Sequence, residues 1–179
     1  MFEYHYAVLT EEELDLSQGG TQHVKYVDVA FYKTPQHWQD NEDFVYDEMD
    51  NWEVLDASLK KIMTEELAQA VAKGNVVSLT MSLEPYGDET FLNLERENGW
   101  TVILYNGEDG IVPMNQDYID SQEEAFLAYG KQTPVPKMFA LTDNKLISEI
   151  VVYFLETGRL SSKVSWAKSS EEGGLPWDF

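Results

Sequence analysis

Apolar positions recur at two periods along this chain, and the two periods divide it into elements. Over residues 56–74, Leu59, Ile62, Met63, Leu67, Ala70 and Val71 fall three and four apart, the spacing of one helix face. The same spacing returns in Leu146, Ile147, Ile150, Val151 and Phe154. Thr142 or Asp143 precedes that run and offers a side-chain oxygen as N-cap. Gly74 and Gly158 follow the two runs, where a left-handed residue ends a helix without a Cβ clash. Elsewhere the period is two. Phe2, Tyr4, Tyr6 and Val8 alternate with Glu3, His5 and Ala7, which predicts a strand over 2–9. Val24, Tyr26 or Val27, Val29 and Phe31 mark a second strand, over 23–32, and Val77, Leu79, Met81 and Leu83 a third, over 76–83. Residues 90–95 and 100–105 form two more, joined by Glu97-Asn98-Gly99; Asn-Gly suits a tight turn because both positions tolerate positive φ. A further strand is predicted over 125–129, and a last one where Val164 and Trp166 alternate with Lys163 and Ser165.

Strands, helix, strand meander, helix and strand in that order predict an α+β fold, not alternating βαβ units. The expected architecture is a mainly antiparallel sheet with the two principal helices packed on one face. The first two strands predict a hairpin closed by Thr34-Pro35, with a long loop through Gly19-Gly20. Residues 106–122 read as a polar loop, 84–88 as another, and Thr133-Pro134-Val135-Pro136 as a rigid extended connection after a turn at Gly130. The chain is expected to form a single domain over 1–179: an N-terminal hairpin and acidic segment (1–54), an α+β core (55–168) and a tail (169–179). The tail ends Leu175-Pro176-Trp177-Asp178-Phe179, which can tuck onto the core or stand free as a recognition peptide.

Charge changes this picture more than composition does. Thirty-three acidic residues against twelve Lys and Arg give a net charge of −21. Residues 1–56 hold fourteen of those acids and only Lys25 and Lys33 as bases, so the acidity is concentrated in the N-terminal third. Such a field repels nucleic acid and anionic membranes and speeds encounter with a basic protein. Its densest stretch is 36–52, where Asp40, Glu42, Asp43, Asp47, Glu48 and Asp50 interleave with Trp38, Phe44, Tyr46, Met49 and Trp52. Disordered acidic tails rarely carry so many aromatics. The segment is either pinned to the core by its aromatics with its carboxylates in water, or a contact surface for a basic partner. As a contact surface its residues are Trp38, Asp40, Glu42, Asp43, Asp47 and Asp50. It lacks the Gly and Glu positions of a calcium loop.

No other chemistry stands out. The chain has no cysteine, so neither disulfide nor thiolate site is available. Its three histidines, His5, His23 and His37, lack zinc-ligand spacing, although His5 and His23 could face each other across the predicted hairpin. No nucleophile elbow, phosphate loop or dinucleotide-binding glycine pattern occurs. Gly107-Glu108-Asp109-Gly110 reads as a hairpin tip whose acids would repel phosphate. No metal, no cofactor and no catalytic residue is therefore expected, and no direct nucleic-acid or membrane partner. Trp100 and Trp166 read as core residues, and Arg159 as a cation placed against a helix C-terminus. The N-terminus lacks the basic and apolar regions of a signal peptide, which predicts a cytoplasmic protein.

The residues Tyr153-Phe154-Leu155-Glu156-Thr157-Gly158-Arg159, followed by Val164 and Trp166, resemble the C-terminal signature of an immunity-protein family from bacterial polymorphic toxin systems. Members of that family are often encoded beside deaminase-type toxins. Phe91-Leu92-Asn93-Leu94 and Asn98-Gly99-Trp100-Thr101-Val102-Ile103-Leu104-Tyr105 resemble its central hairpin. The resemblance covers roughly residues 55–168 and leaves the N-terminal segment outside. It departs from the family pattern after Arg159, where Leu160-Ser161-Ser162 stands in place of a usual Pro. The resemblance implies a protein that binds a cognate toxin domain, itself expected to be basic, and occludes its active site. Two alternatives stay open on the residues alone: an acidic adaptor or nucleic-acid mimic, and a carboxylate-dependent hydrolase. The oligomeric state and the identity of the toxin are not readable from the sequence.

Overall fold

A computed structural model describes residues 1–15, 23–40, 51–83, 90–106, 110–129 and 133–178, with the side chains of 126–129 and 133 excepted. In chain order the elements are strands β1 (Glu3–Tyr4) and β2 (Tyr6–Val8), helix α1 (Glu11–Leu14), β3 (Tyr26–Phe31), α2 (Gln36–Asp40), α3 (Ala57–Ala72), and β4 (Val76–Ser82). There follow β5 (Phe91–Glu97), β6 (Trp100–Asn106), β7 (Gly110–Pro113), β8 (Glu124–Tyr129), β9 (Thr133–Pro136), α4 (Asn144–Thr157), β10 (Trp166–Ser169) and β11 (Trp177–Asp178). Short 3-10 turns occupy Trp52–Val54, Gln116–Tyr118 and Lys137–Phe139. The fold is α+β.

Seven strands form one antiparallel sheet in the order β2-β10-β7-β6-β5-β4-β3. Its middle is a meander set by local turns. Asn98 and Gly99 take φ of 52° and 81°, so the β5–β6 connection is the two-residue turn that an Asn-Gly pair favours. The two long helices start and stop at the residues their pattern predicts. Asp56 accepts the Leu59 N–H and Asp143 those of Lys145 and Leu146. Gly74 and Gly158 adopt φ of 74° and 70°, and the Gly158 N–H closes on the Phe154 carbonyl at 2.7 Å.

The pleat sorts the sheet's side chains into two layers. One face carries Val27, Leu79, Met81, Leu92, Leu94, Ile103 and Tyr105, which pack with Met63 and Leu67 of α3 and Ile150, Val151 and Phe154 of α4. Ser148 of α4 donates to the Ala68 carbonyl of α3 at 2.9 Å, which ties the helices to each other. The other face carries a smaller apolar layer. There Val102, Leu104, Val112 and Ala167 pack beneath Val135, Met138, Phe139 and Trp177.

The N-terminal third joins the main sheet but not as a hairpin. The predicted strand over 2–9 breaks at His5, whose N–H goes to the Pro176 carbonyl and whose carbonyl accepts from Ser170. Its first half, β1, pairs with β11; its second, β2, pairs with β10. The second predicted strand, β3, lies at the far edge beside β4. His5 and His23 therefore sit at opposite edges and do not face each other. Within the predicted loop 106–122, Gly110–Pro113 forms strand β7 and Gln116–Tyr118 a 3-10 turn. The Pro-rich connection is strand β9, paired with β8 in a two-stranded sheet where each Pro can do without a ladder donor. The last strand begins at Trp166 instead of ending there. The predicted turns at Gly19-Gly20 and Gly130, the loop 84–88 and most of the 107–110 tip lie outside the described residues.

Candidate protein-interaction site

The acidic segment is held at both ends. On its N-terminal side α2 places Trp38 in the interior, 4% exposed. The Trp38 indole N–H donates to the Met63 carbonyl of α3 at 3.0 Å. Its ring stacks on Trp52 at 6.0 Å and meets Phe31 of β3 edge-on at 5.7 Å. His37, one residue earlier, bonds Glu66 of α3 through its ring and its backbone N–H. On the C-terminal side Asn51 bridges to Tyr26, and the Glu53 N–H reaches the Lys25 carbonyl. The two attachment points thus fall at opposite ends of β3. Asp40 is exposed on α2. Glu42, Asp43, Asp47 and Asp50 lie outside the described residues. Of the six expected contact residues, Trp38 turns inward: its ring and its N–H are both occupied by the core, so it fastens the segment and presents no surface.

Beside this anchor a cleft of about 720 Å³ opens between the α3 stripe Ala57, Lys60, Lys61 and Thr64 and the end of α4, floored by Val24, Trp52 and Leu155. Its carboxylates Glu53, Glu65 and Glu156 alternate with Lys60 and Lys61, so its charge is mixed. Lys60 is engaged with the Glu53 carbonyl at 3.2 Å.

The polar half of the sheet's second face is different. Three rows cross β3, β4 and β5 there: Tyr26–Ser82–Phe91, Asp28–Thr80–Asn93 and Ala30–Ser78–Glu95. Neither Asp28 nor Glu95 has a hydrogen-bond or ion-pair partner among the described residues. Asp28 is exposed as a residue, yet its carboxyl is partly withdrawn from water by its neighbours, and this desolvation raises its pKa. Asn93 donates to Thr80 Oγ1 at 3.4 Å, while its Oδ1 is shut from water without a partner.

Other ionisable groups are tied into structure. His5 is ringed by Glu3, Asp178 and Glu171 at 3.7, 3.5 and 3.8 Å. Among the described residues no group of three or more His, Asp or Glu is arranged to hold a metal ion, and no helix is long and apolar enough to cross a membrane. Lys137 lies 5.3 and 5.2 Å from the ring centroids of Trp100 and Tyr118 and 3.2 Å from Glu123. Trp100 is thus half-buried with a cation on its face, not a fully enclosed core residue. Arg159 places its Nε 3.8 Å from Asp15 and its backbone N–H 3.1 Å from Thr157 Oγ1.

In the C-terminal signature Phe154, Leu155, Gly158 and Trp166 are buried, while Tyr153, Glu156 and Arg159 are exposed. Phe154 is buried against Tyr105 at 6.2 Å, and Thr157 Oγ1 donates back to the Tyr153 carbonyl at 2.5 Å. Trp166 is 0% exposed, and its indole N–H finds the Ser161 carbonyl at 2.7 Å. Leu160, where the family pattern has Pro nearby, is buried in the helix-side core. Residues 46–168, more than half of the chain, match the model of the family "Immunity protein Imm1". The chain belongs to the Imm1 family. No curated protein and no solved structure matches it. The Imm1 match begins nine residues before the 55–168 stretch recognised by motif, so Asp47, Asp50 and Trp52 fall inside it while Trp38 and Asp40 stay outside. The α4–β10 corner lies inside the Imm1 match.

Proposed function

We propose that this Imm1 protein binds a cognate toxin domain of a polymorphic toxin system in the cytoplasm and neutralises it by occluding the active site. Family membership carries this reading. The charge supports it: at −21 the chain attracts a basic partner, and toxins that act on nucleic acid need basic surfaces. Occlusion needs a surface and no reacting group. The contact is assigned to the acidic segment, with Asp40, Glu42, Asp43, Asp47 and Asp50 meeting Lys and Arg of the toxin and Trp38 holding the segment in place from below.

The test is co-expression with the toxin domain encoded beside the gene, scored by survival of the host and by co-purification at low and high salt. Survival with a complex that weakens as salt rises is the expected result. Host death despite abundant soluble immunity protein would end the reading. Reversing Asp40, Glu42 and Asp43 to Lys together is expected to weaken binding and flatten its salt dependence while leaving the unfolding curve in place. Unaltered binding would move the contact away from this segment.

A further inference from the structure

We infer that residues 170–178 form a strap over the second apolar layer, one that lifts off as a unit while the seven-stranded sheet stays folded. The strap begins on a hinge. Residues 170–174 are all exposed, and Gly173 and Gly174 take φ of 76° and 89° with open space where a Cβ would stand. Such residues absorb a change of chain direction at low cost. Beyond the hinge the chain passes over the start of β7. Gly110 leaves it room there, since a Cβ on that residue would meet the Gly174 carbonyl oxygen at 3.1 Å and Leu175 Cδ2 at 3.6 Å. Pro176 then accepts the His5 N–H at 2.9 Å, Trp177 and Asp178 pair with β1, and the Trp177 ring stacks on Phe139 at 5.2 Å.

The strap and the strand it pairs with are held unequally. Strand β1 is tied to the body beside it: the Phe2 N–H donates to Gln122 Oε1 at 2.7 Å, the Phe2 carbonyl accepts from Gln122 Nε2 at 3.1 Å, and the Tyr4 hydroxyl donates to the Ser121 carbonyl. Past its hinge the strap is held by the short ladder to β1, the His5–Pro176 bond and the apolar contacts of Leu175 and Trp177. That closure carries two polar penalties. Trp177 is 3% exposed, and its indole N–H is shut from water with no acceptor among the described residues, so closing strips a donor of water without replacing the bond. Trp38 and Trp166, buried as deeply, each donate to a backbone carbonyl, at 3.0 and 2.7 Å. The second penalty lies in the ladder. Asp178 sits directly opposite Glu3, and like charges in register weaken a strand pair. His5 lies 3.7 and 3.5 Å from these two carboxylates and 3.8 Å from Glu171, and it offsets their repulsion only in its charged form. Lifting the strap relieves both penalties and uncovers Phe139, which is 0% exposed when the strap is closed. The second apolar layer is thus a surface that the chain can cover or show. Strands β1 and β11 both lie outside the 46–168 match, so the strap stands apart from the residues that mark the family.

The experiment is native-state hydrogen exchange on the full chain, read residue by residue and corrected for intrinsic rates. The His5 amide reports the strap, because its acceptor is Pro176, and the Leu9 amide, bonded to Trp166, reports the neighbouring β2–β10 pair. Amides of β5 and β6 report the sheet. In the wild type the His5 amide is expected to exchange roughly a hundredfold faster than those of β5 and β6. Gly110→Ala crowds the Gly174 carbonyl and is expected to speed His5 exchange roughly threefold. Glu3→Lys turns the pair with Asp178 into opposite charges and is expected to slow it roughly threefold. Neither variant is expected to move the β5 and β6 amides. Trp177→Ala is expected to abolish protection at His5 while Leu9 stays protected. A wild-type His5 amide that exchanges within about threefold of the β5 and β6 amides overturns the strap. So do variants that shift all of these amides together, or that leave His5 unmoved.

Discussion

Two halves of one sheet face, built on the same strands and the same pleat, have opposite chemistry. Read across the sheet, one row runs Asp28, Thr80, Asn93, Leu104, and the next runs Ala30, Ser78, Glu95, Val102. Both rows switch from polar to apolar between β5 and β6. On the apolar side Leu104 and Val102 lie under Phe139, Met138 and Val135, and the layer is closed by Trp177, whose ring stacks on Phe139 at 5.2 Å. On the polar side β8 comes against β5, and none of the polar-row residues belongs to the apolar layer described over β6. A strand covered on both faces must be apolar throughout, and β6 is buried over Thr101–Tyr105 without a break. A strand covered on one face alternates, as β4 does with Ser78, Leu79, Thr80 and Met81. The difference teaches that what packs on a face, and not the sheet itself, sets the residue choice.

The comparison is broken most severely in the covered half. Phe139→Ala removes a ring that is fully buried and touches Tyr4, Tyr6 and Trp177 edge-on or stacked. It should cost about 3–5 kcal/mol in urea unfolding. A cost below about 1 kcal/mol would mean that the second layer is not a core at all. The seam between the halves is the next place to press. Asn93 carries a shielded acceptor with no partner, and its one side-chain bond, to Thr80, is long at 3.4 Å. Asn93→Leu extends the apolar chemistry of Leu104 by one strand and should gain about 1 kcal/mol. A loss of stability would show that the row is polar for a structural reason.

Both halves also hold a group whose pKa is raised, and the two act on opposite sides of neutrality. Tyr4 sits at the margin of the covered half, bonded to the Ser121 carbonyl. Its phenol is pushed up first by burial, then by Asp120 and Tyr6. The folded state therefore holds that proton more tightly than the unfolded chain does. As pH rises through the ordinary tyrosine value, near 10, the unfolded chain releases the proton first and stability falls. Tyr4→Phe should lower stability modestly at neutral pH and flatten the alkaline limb of a stability–pH curve. An unchanged alkaline limb would place the loss elsewhere. For Asp28 the same logic gives greater stability on the acid side, lost as pH climbs from the usual carboxyl value through the raised one.

How much of this was legible in the sequence depends on the distance over which each signal acts. Asp56, Asp143, Gly74, Gly158 and the Asn98-Gly99 turn are local signals, and each does in the structure what its residue type predicts. Thr10 and Glu13 form a capping box that starts α1; its Thr-x-x-Glu spacing is also a local signal, masked by the polar stretch around it. Strand pairing is long-range and was not legible. The break at His5 exists because Pro176, far away in sequence, supplies an acceptor. Strand β7 hides in a Gly- and Pro-bearing stretch because only Ile111 and Val112 are apolar, and β9 because its two prolines mimic a linker. The acidic segment was visible from charge, but the inward turn of Trp38 depends on Met63 and Trp52, which its own neighbourhood does not announce. The polar rows were invisible for the same reason: Asp28, Thr80 and Glu95 share one sheet face only once three strands are in register.

The gentlest probe sits in the middle of the polar half. Thr80→Val keeps the β-branched shape that a strand favours, removes one hydroxyl that among the described residues only the long bond from Asn93 uses, and makes the centre of the row apolar. If β4 is polar here because no apolar layer among the described residues covers it, the folded state should barely notice, and unfolding in urea should shift by no more than about 0.5 kcal/mol. The same substitution in the covered half would be a gain of buried apolar surface. A destabilisation well above that bound would show that Thr80 Oγ1 holds Asn93 in place and that the row is a structural hydrogen-bonded ladder.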